Sequence, residues 1–282
     1  MTLLLGAVAY DPKVVTIWEG FRSWFREHDL DFDFVLYSNY ERQVEDLIGG
    51  RTDVAWNSPL AWVRAVRLAA SRGVELQPIT MRDTDCDLTS VIVTRGDSGL
   101  RSIADLRGKT VATGAVDSPQ ATLIPLQLLR KHGLRPGEDV AVARFDIGVG
   151  LHGDHIGGER DAARALAAGS VDAACMIDSN LLLFGQEGVL PADVKVLART
   201  DAYDHCTMTA GPSAHEAELA RFAELLLGMS YADPQVRVLL DLEGLKQWQP
   251  PRLEGYAQLE AAVDATGFYD DSGGIGAGDY RP

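Results

Sequence analysis

"GRTDVAWNSPLAWVRA", Gly50 to Ala65, is the stretch on which the fold turns. Its short apolar run, Val54-Ala55-Trp56, reads as a buried strand that stops at Asn57-Ser58-Pro59 and resumes as a helix. In an open α/β sheet the carboxyl ends of the strands are where ligands bind, and a helix beginning there offers free N–H groups to an anion. The same residues also make a plain βα turn with a Ser N-cap. Taken alone, the segment reads more readily as the plain turn.

Working outward, the chain repeats one grammar. Leu3 to Tyr10 reads as a first strand, and Val15, Trp18, Phe21, Trp24 and Phe25 follow near helical spacing. "DFDFVLYS" alternates as a second strand, and "NYERQVEDLIGG" is a helix ended by Gly49-Gly50. After the helix that starts at Pro59 come "ELQPITMRD" and the long strand "LTSVIVTRG". The second half continues with "GKTVATG", "SPQATLIPLQLLRKHG", "DVAVARFDI" and "GGERDAARALAAGS", closing on "VDAACMIDSN". Asp172-Ala173-Ala174 running to Asp178-Ser179-Asn180 echoes Asp53 to Ser58, which suggests two similar lobes that each end a strand in polar side chains.

Composition narrows the function. The chain has 282 residues, 46% hydrophobic and 24% charged, which fits two compact domains. A formal net charge of −15 speaks against a nucleic-acid partner, since phosphate contacts need a basic face. An anionic small ligand remains compatible, because local N–H groups and a few arginines override the global field. Cys86, Cys175 and Cys206 are scattered and imply no disulfide framework. The N-terminus lacks a basic n-region and a signal-length apolar run, and no stretch approaches the roughly 18 apolar residues of a membrane span. The expectation from these features is a cytoplasmic protein, periplasmic or extracellular only if the native precursor is longer.

Five segments in one order carry a resemblance: "GRTDVAWNSPLAWV", "SIADLRGKTVATG", "SPQATLIPLQLLRKHGL", "GGERDAARALAAGSVDAACMIDS" and "GLKQWQP". They resemble the phosphate/phosphonate-type solute-binding proteins of ABC importers, across about Leu3 to Ala262. The resemblance implies the two-lobed α/β type II periplasmic-binding-protein fold, with crossover strands near Leu88 to Thr94 and Val196 to Met208. Lobe 1 would comprise residues 1–87 and 204–265, and lobe 2 residues 88–203. Residues 266–282 read as a loose Gly-rich tail.

The resemblance also implies ligand-binding residues. Tyr10, Trp56, Asn57 and Ser58 would line the lobe 1 wall, facing Ser118, Gln120 and Thr122 at a helix N-terminus suited to an anion. Pro119 and Gln120 interrupt the hydroxyl run that phosphonate binders carry there. Arg160 stands where the family tends to have His, placed to pair with a carboxylate or phosphate. Asp178, matching the family's Asp after the "VDAA" strand, would accept hydrogen bonds from a ligand amine or hydroxyl.

One segment does not fit the pattern. "GVGLHGDHIGGER", Gly148 to Arg160, sets His152 and His155 three apart among glycines, as a gate loop or as ligands for an anion or metal. Asp204-His205-Cys206 is a further source of ligands. The spacing matches no established metal motif, so no cofactor is expected and a divalent metal is kept as an alternative. No Gly-x-Ser-x-Gly elbow, P-loop lysine or dinucleotide fingerprint is present. The leading function is therefore binding of a small anionic or zwitterionic solute, with an ABC permease as partner if the protein is exported. The alternative is a cytosolic enzyme, lyase or metal-dependent, on the same fold, using His152, His155 and Asp178.

Overall fold

The computed structural model describes residues 1–146 and 156–282. In its first part β1 (Leu3–Val8), β2 (Phe32–Tyr37), β3 (Val54–Asn57) and β4 (Gln77–Arg82) alternate with α1 (Lys13–Glu27), α2 (Tyr40–Ile48) and α3 (Pro59–Arg72). Each helix has a local cause. Val14, Ile17, Trp18, Phe21 and Phe25 put one buried stripe on α1. The Asn39 side chain caps α2 by accepting from Arg42 N at 2.9 Å. Ser58 caps α3, and Gly73 ends it at φ +65°. Trp24 lies at the margin of the stripe, half-buried and stacked on His28.

The middle of the chain builds a second sheet from β5 (Ser90–Thr94), β6 (Thr110–Thr113), β7 (Ala141–Arg144), β8 (Ala173–Ile177) and β9 (Lys195–Arg199). Helices α4 (Ile124–Lys131), α5 (Ile156–Ala167) and α6 (Asp178–Gln186) lie between its strands. The chain then returns through β10 (Thr207–Ala210), α7 (Glu216–Gly228), α8 (Pro234–Glu243), β11 (Trp248–Gln249) and α9 (Ala257–Thr266). Strand order is β11-β4-β10-β3-β1-β2 in the first sheet and β7-β6-β8-β5-β9 in the second. Within the first, β10 inserts antiparallel between β3 and β4, with Thr207 opposite Asn57. The protein is thus the two-lobed α/β fold that its sequence implied.

The passages between the sheets lie side by side. Leu88 and Tyr203 exchange two backbone hydrogen bonds of 2.8 Å, forming an isolated antiparallel bridge. Beside it Arg252 donates to Asp204 Oδ2 at 2.9 Å and Asp87 Oδ2 at 3.1 Å. The Asp204 side chain, 1% exposed, lies so close that a Cβ on Gly255 would meet its carboxyl at 2.2 Å. Glycine is required there by the packing.

Residues 266–282, read from the sequence as loose, are anchored by buried aromatics. Phe268, Tyr269 and Tyr280 are buried in one cluster with Leu60 and Val63 of α3 and with Leu123 and Ile124 of the inserted lobe. Both phenols donate to the buried Glu41 Oε1, Tyr269 at 2.7 Å and Tyr280 at 3.1 Å. Arg64 Nε donates to Gly273 O at 2.9 Å, while Arg144 in the other lobe pairs with Asp279 at 2.6 Å. The segment is a strap across both lobes. The glycines suggested mobility, but the aromatics between them bury about 1.5–3 kcal/mol each of apolar surface.

Candidate functional site

Two helix starts, one in each lobe, carry many of the expected polar residues. On the first, β3 delivers Asn57, fully buried, to the Ser58 cap, whose hydroxyl accepts from Ala61 N at 3.1 Å. Gln43 Nε2 donates to both Trp56 O and Asn57 Oδ1 at 3.0 Å. The Trp56 carbonyl requires a donor, so the Gln43 amide is fixed, and with it the Asn57 amide. Its Nδ2 is left buried and without a protein partner among the described residues.

On the second, Ser118 organises a wide turn over Pro119–Leu123 that leads into α4. Its hydroxyl accepts from Ala121 N at 3.1 Å, and its carbonyl accepts from Thr122 N at 3.1 Å and Leu123 N at 2.9 Å. The i to i+5 bond gives π-type geometry, which recurs at functional sites. Gly114 permits the turn to sit against the end of β6, since a Cβ there would stand 2.9 Å from that of Ala121. Ser90 Oγ donates to Gln120 O at 2.6 Å and meets Tyr203 Oη at 2.7 Å, which ties the turn to the paired passages. Thr122 is 5% exposed, and its hydroxyl has no partner among the described residues. Leu60, in the first turn of α3, and Leu123, in the wide turn, share one buried cluster with Leu259, Ala262 and Val263 of α9, so the two helix starts are tied to one core through α9.

A buried acid beside the second helix start was not foreseen. Glu159, in the first turn of α5, is 1% exposed and accepts from Asn180 Nδ2 at 2.8 Å and Ile177 N at 3.0 Å, both on Oε2. Burial pushes its carboxyl up to about 7, against hydrogen bonds from Asn180, Ile177 and Gln120 that lower it. The sequence pointed instead to Arg160, and here the structure corrects it. The Arg160 guanidinium pairs with Glu187 and lies 4.8 Å from the Phe184 ring centroid, on the α5–α6 surface. One residue along a helix is about 100° of rotation, enough to exchange the inner group for the outer one.

The other expected residues are spread unevenly. Tyr10 is half-buried past the end of β1, with Lys13 Nζ 5.7 Å from its ring centroid. It lies near the buried Tyr40, another residue missed from the sequence, whose phenol burial pushes far up, with the Cys206 and Tyr10 charges adding to the shift. Trp56 is core, edge-on to Trp248 at 5.7 Å and beneath Arg82 at 5.3 Å. Asp178 is half-exposed, pairs with Arg199 at 2.6 Å, and lines an open groove with Leu182, Pro191 and Val194. It is therefore already neutralised by the protein. His152 and His155 lie outside the described residues.

His205 and Cys206 form a buried cluster with Asp85, each offering a donor atom within 4.8 Å of the others. His205 Nδ1 is 3.1 Å from Cys206 Sγ and 3.4 Å from Asp85 Oδ1. Arg82 donates to both Asp85 oxygens, at 2.6 and 2.9 Å, and lies 3.3 Å from Glu243 Oε1. Burial alone would raise the Asp85 carboxyl, yet the guanidinium holds it well below the usual range, while burial pushes the nearby Glu243 up to about 7. Arg82 supplies positive charge to the Asp85 carboxylate within this cluster.

This architecture recurs among solved structures. XAC2383 from Xanthomonas citri, bound to chloride, matches with a TM-score of 0.70 at 19% identity, over 94% of this chain and 98% of its own. PhnD1 from Prochlorococcus marinus, in complex with methylphosphonate, matches with 0.66 at 16% identity, over 94% and 97%. A periplasmic sulfonate-binding protein SsuA from Methylobacillus flagellatus matches with 0.59 at 15% identity, over 94% and 86%. At these identities the likeness is one of fold. The sequence itself, over residues 7–256, matches the family described as ABC transporter, phosphonate, periplasmic substrate-binding protein. The chain therefore belongs to the phosphonate-type substrate-binding family of ABC transporters, and its work is to bind a solute.

Proposed function

We propose that the protein is the receptor of an importer and closes its lobes on a small oxyanion held between Asn57 and the Ser118–Thr122 turn. The observation that supports this reading is the pair of buried polar groups without partners among the described residues, Asn57 Nδ2 and Thr122 Oγ1, at two helix starts that share one buried cluster. A buried donor left unsatisfied costs about 1–3 kcal/mol, and a ligand oxygen at each repays it. Both helix starts also direct partial positive charge toward such a ligand. The bound PhnD1 of Prochlorococcus marinus makes methylphosphonate the first probe. An ABC permease is the partner, and the family's description favours the periplasm over the cytoplasmic placement expected from the N-terminal sequence.

Isothermal titration with methylphosphonate, inorganic phosphate, sulfate and glutamate tests the reading. At least one oxyanion should bind, and at a hundred times its Kd it should stabilise the fold by about 2.7 kcal/mol in thermal unfolding. Asn57→Ala and Thr122→Val should each weaken it. Absence of binding by every oxyanion overturns the reading.

A further inference from the structure

Glu159 raises a problem for any anion site, because an acid next to an oxyanion repels it if both are ionised. Its geometry offers a resolution. Oε2 accepts from Asn180 and Ile177, while Oε1 has no partner of hydrogen-bond length among the described residues. The Gln120 side chain is a hydrogen-bonding neighbour of the carboxyl, so the carboxyl adjoins the turn proposed above to hold the ligand. We infer that Glu159 enters the complex as a carboxylic acid and donates a hydrogen bond from Oε1 to the bound oxyanion, so that one proton is taken up with the ligand. This rests on the oxyanion reading above.

The surroundings among the described residues agree. The 118–123 turn contributes Gln120, and α6 contributes Asn180, both neutral. From β8 comes Cys175 and from the return passage Tyr203, and burial pushes both groups up, so neither ionises near neutral pH. The adjacent Arg160 is engaged by Glu187 on the outer surface. No cation among those facing groups competes to hold Glu159 as a carboxylate. Its carboxyl, raised to about 7 by burial, rises further when an anion arrives. The balance is simple: one solvent proton moves to Oε1, and no other bond forms or breaks.

Methylphosphonate is titrated calorimetrically into wild type and Glu159→Gln at pH 6 to 9, in buffers of different ionisation enthalpy. The ligand's own titration is common to both proteins, so their difference isolates the side chain. Wild type should take up close to one proton more than the variant at pH 8, and its affinity should fall about tenfold more per pH unit above neutrality. Infrared difference spectra of wild type should gain a protonated carboxyl band on binding that Glu159→Gln lacks. Equal proton uptake by the two proteins, or no such band in wild type, overturns the inference and leaves the oxyanion reading intact. Failure of wild type to bind methylphosphonate, phosphate or sulfate overturns both.

Discussion

In the proposed site, Asn57 can be replaced at little cost to the fold. Gln43 retains the Trp56 carbonyl as a partner if Asn57 is removed, so Asn57→Ala discards an unsatisfied group and creates only a small gap. A hydrogen bond to a charged partner is worth about 1.5–3 kcal/mol, or roughly 10- to 100-fold in affinity. Asn57→Ala should lose that much oxyanion affinity in titration, with a thermal midpoint within a few degrees of wild type. The positions of Asn57, Ser58, Ser118 and Thr122 at a strand end and two helix starts were legible because helix caps and strand ends carry strong local signals. Glu159 was not, since "GGER" does not reveal which of its last two residues turns inward. That choice depends on the helix phase against β8.

Among the elements, the C-terminal strap separates local from tertiary evidence most clearly. Read locally, "TGFYDDSGGIGAGDYRP" has the glycine content of a tail, and nothing in it names Glu41, Arg64 or Leu123 as partners. Contacts across more than 200 residues, such as Tyr269 to Glu41, leave no periodic trace. Phe268→Ala should cost about 3–5 kcal/mol in denaturant unfolding, as for a core aromatic. A loose tail would show no change. Tyr280→Phe, which leaves Tyr269 on Glu41, should cost less, about 1 kcal/mol. The helices and strands of both sheets were by contrast readable, because α1 and the strand ends carry their burial pattern in consecutive residues.

For the whole molecule, buried acids set the response to pH. Glu159 and Glu243 both titrate near 7 in the folded protein, well above the unfolded value of about 4.3. A raised carboxyl pKa means the folded state holds the proton more tightly. Stability is therefore full below the unfolded pKa and is lost as pH rises toward 7. The depressed Asp85 acts oppositely, but its contribution is lost only at acid pH, below this window. Ligand-free protein should lose stability from pH 5 to pH 8, on the order of 1–3 kcal/mol per acid. Glu243→Gln should reduce that loss when unfolding is followed across the range. An unchanged slope would place its titration elsewhere.

The interrupted first sheet also imposes an order in time. Asn57 finds its antiparallel neighbour only at Thr207, because the whole second sheet is encoded between them. At about 5–20 residues per second, a ribosome takes on the order of ten seconds or more to supply β10. Throughout that interval the β3 edge stands without its ladder, while the inserted lobe already has every strand of its own sheet by Arg199. The lobe encoded in the middle is thus the first that can finish, and the strand carrying Asn57 stays open until late in synthesis.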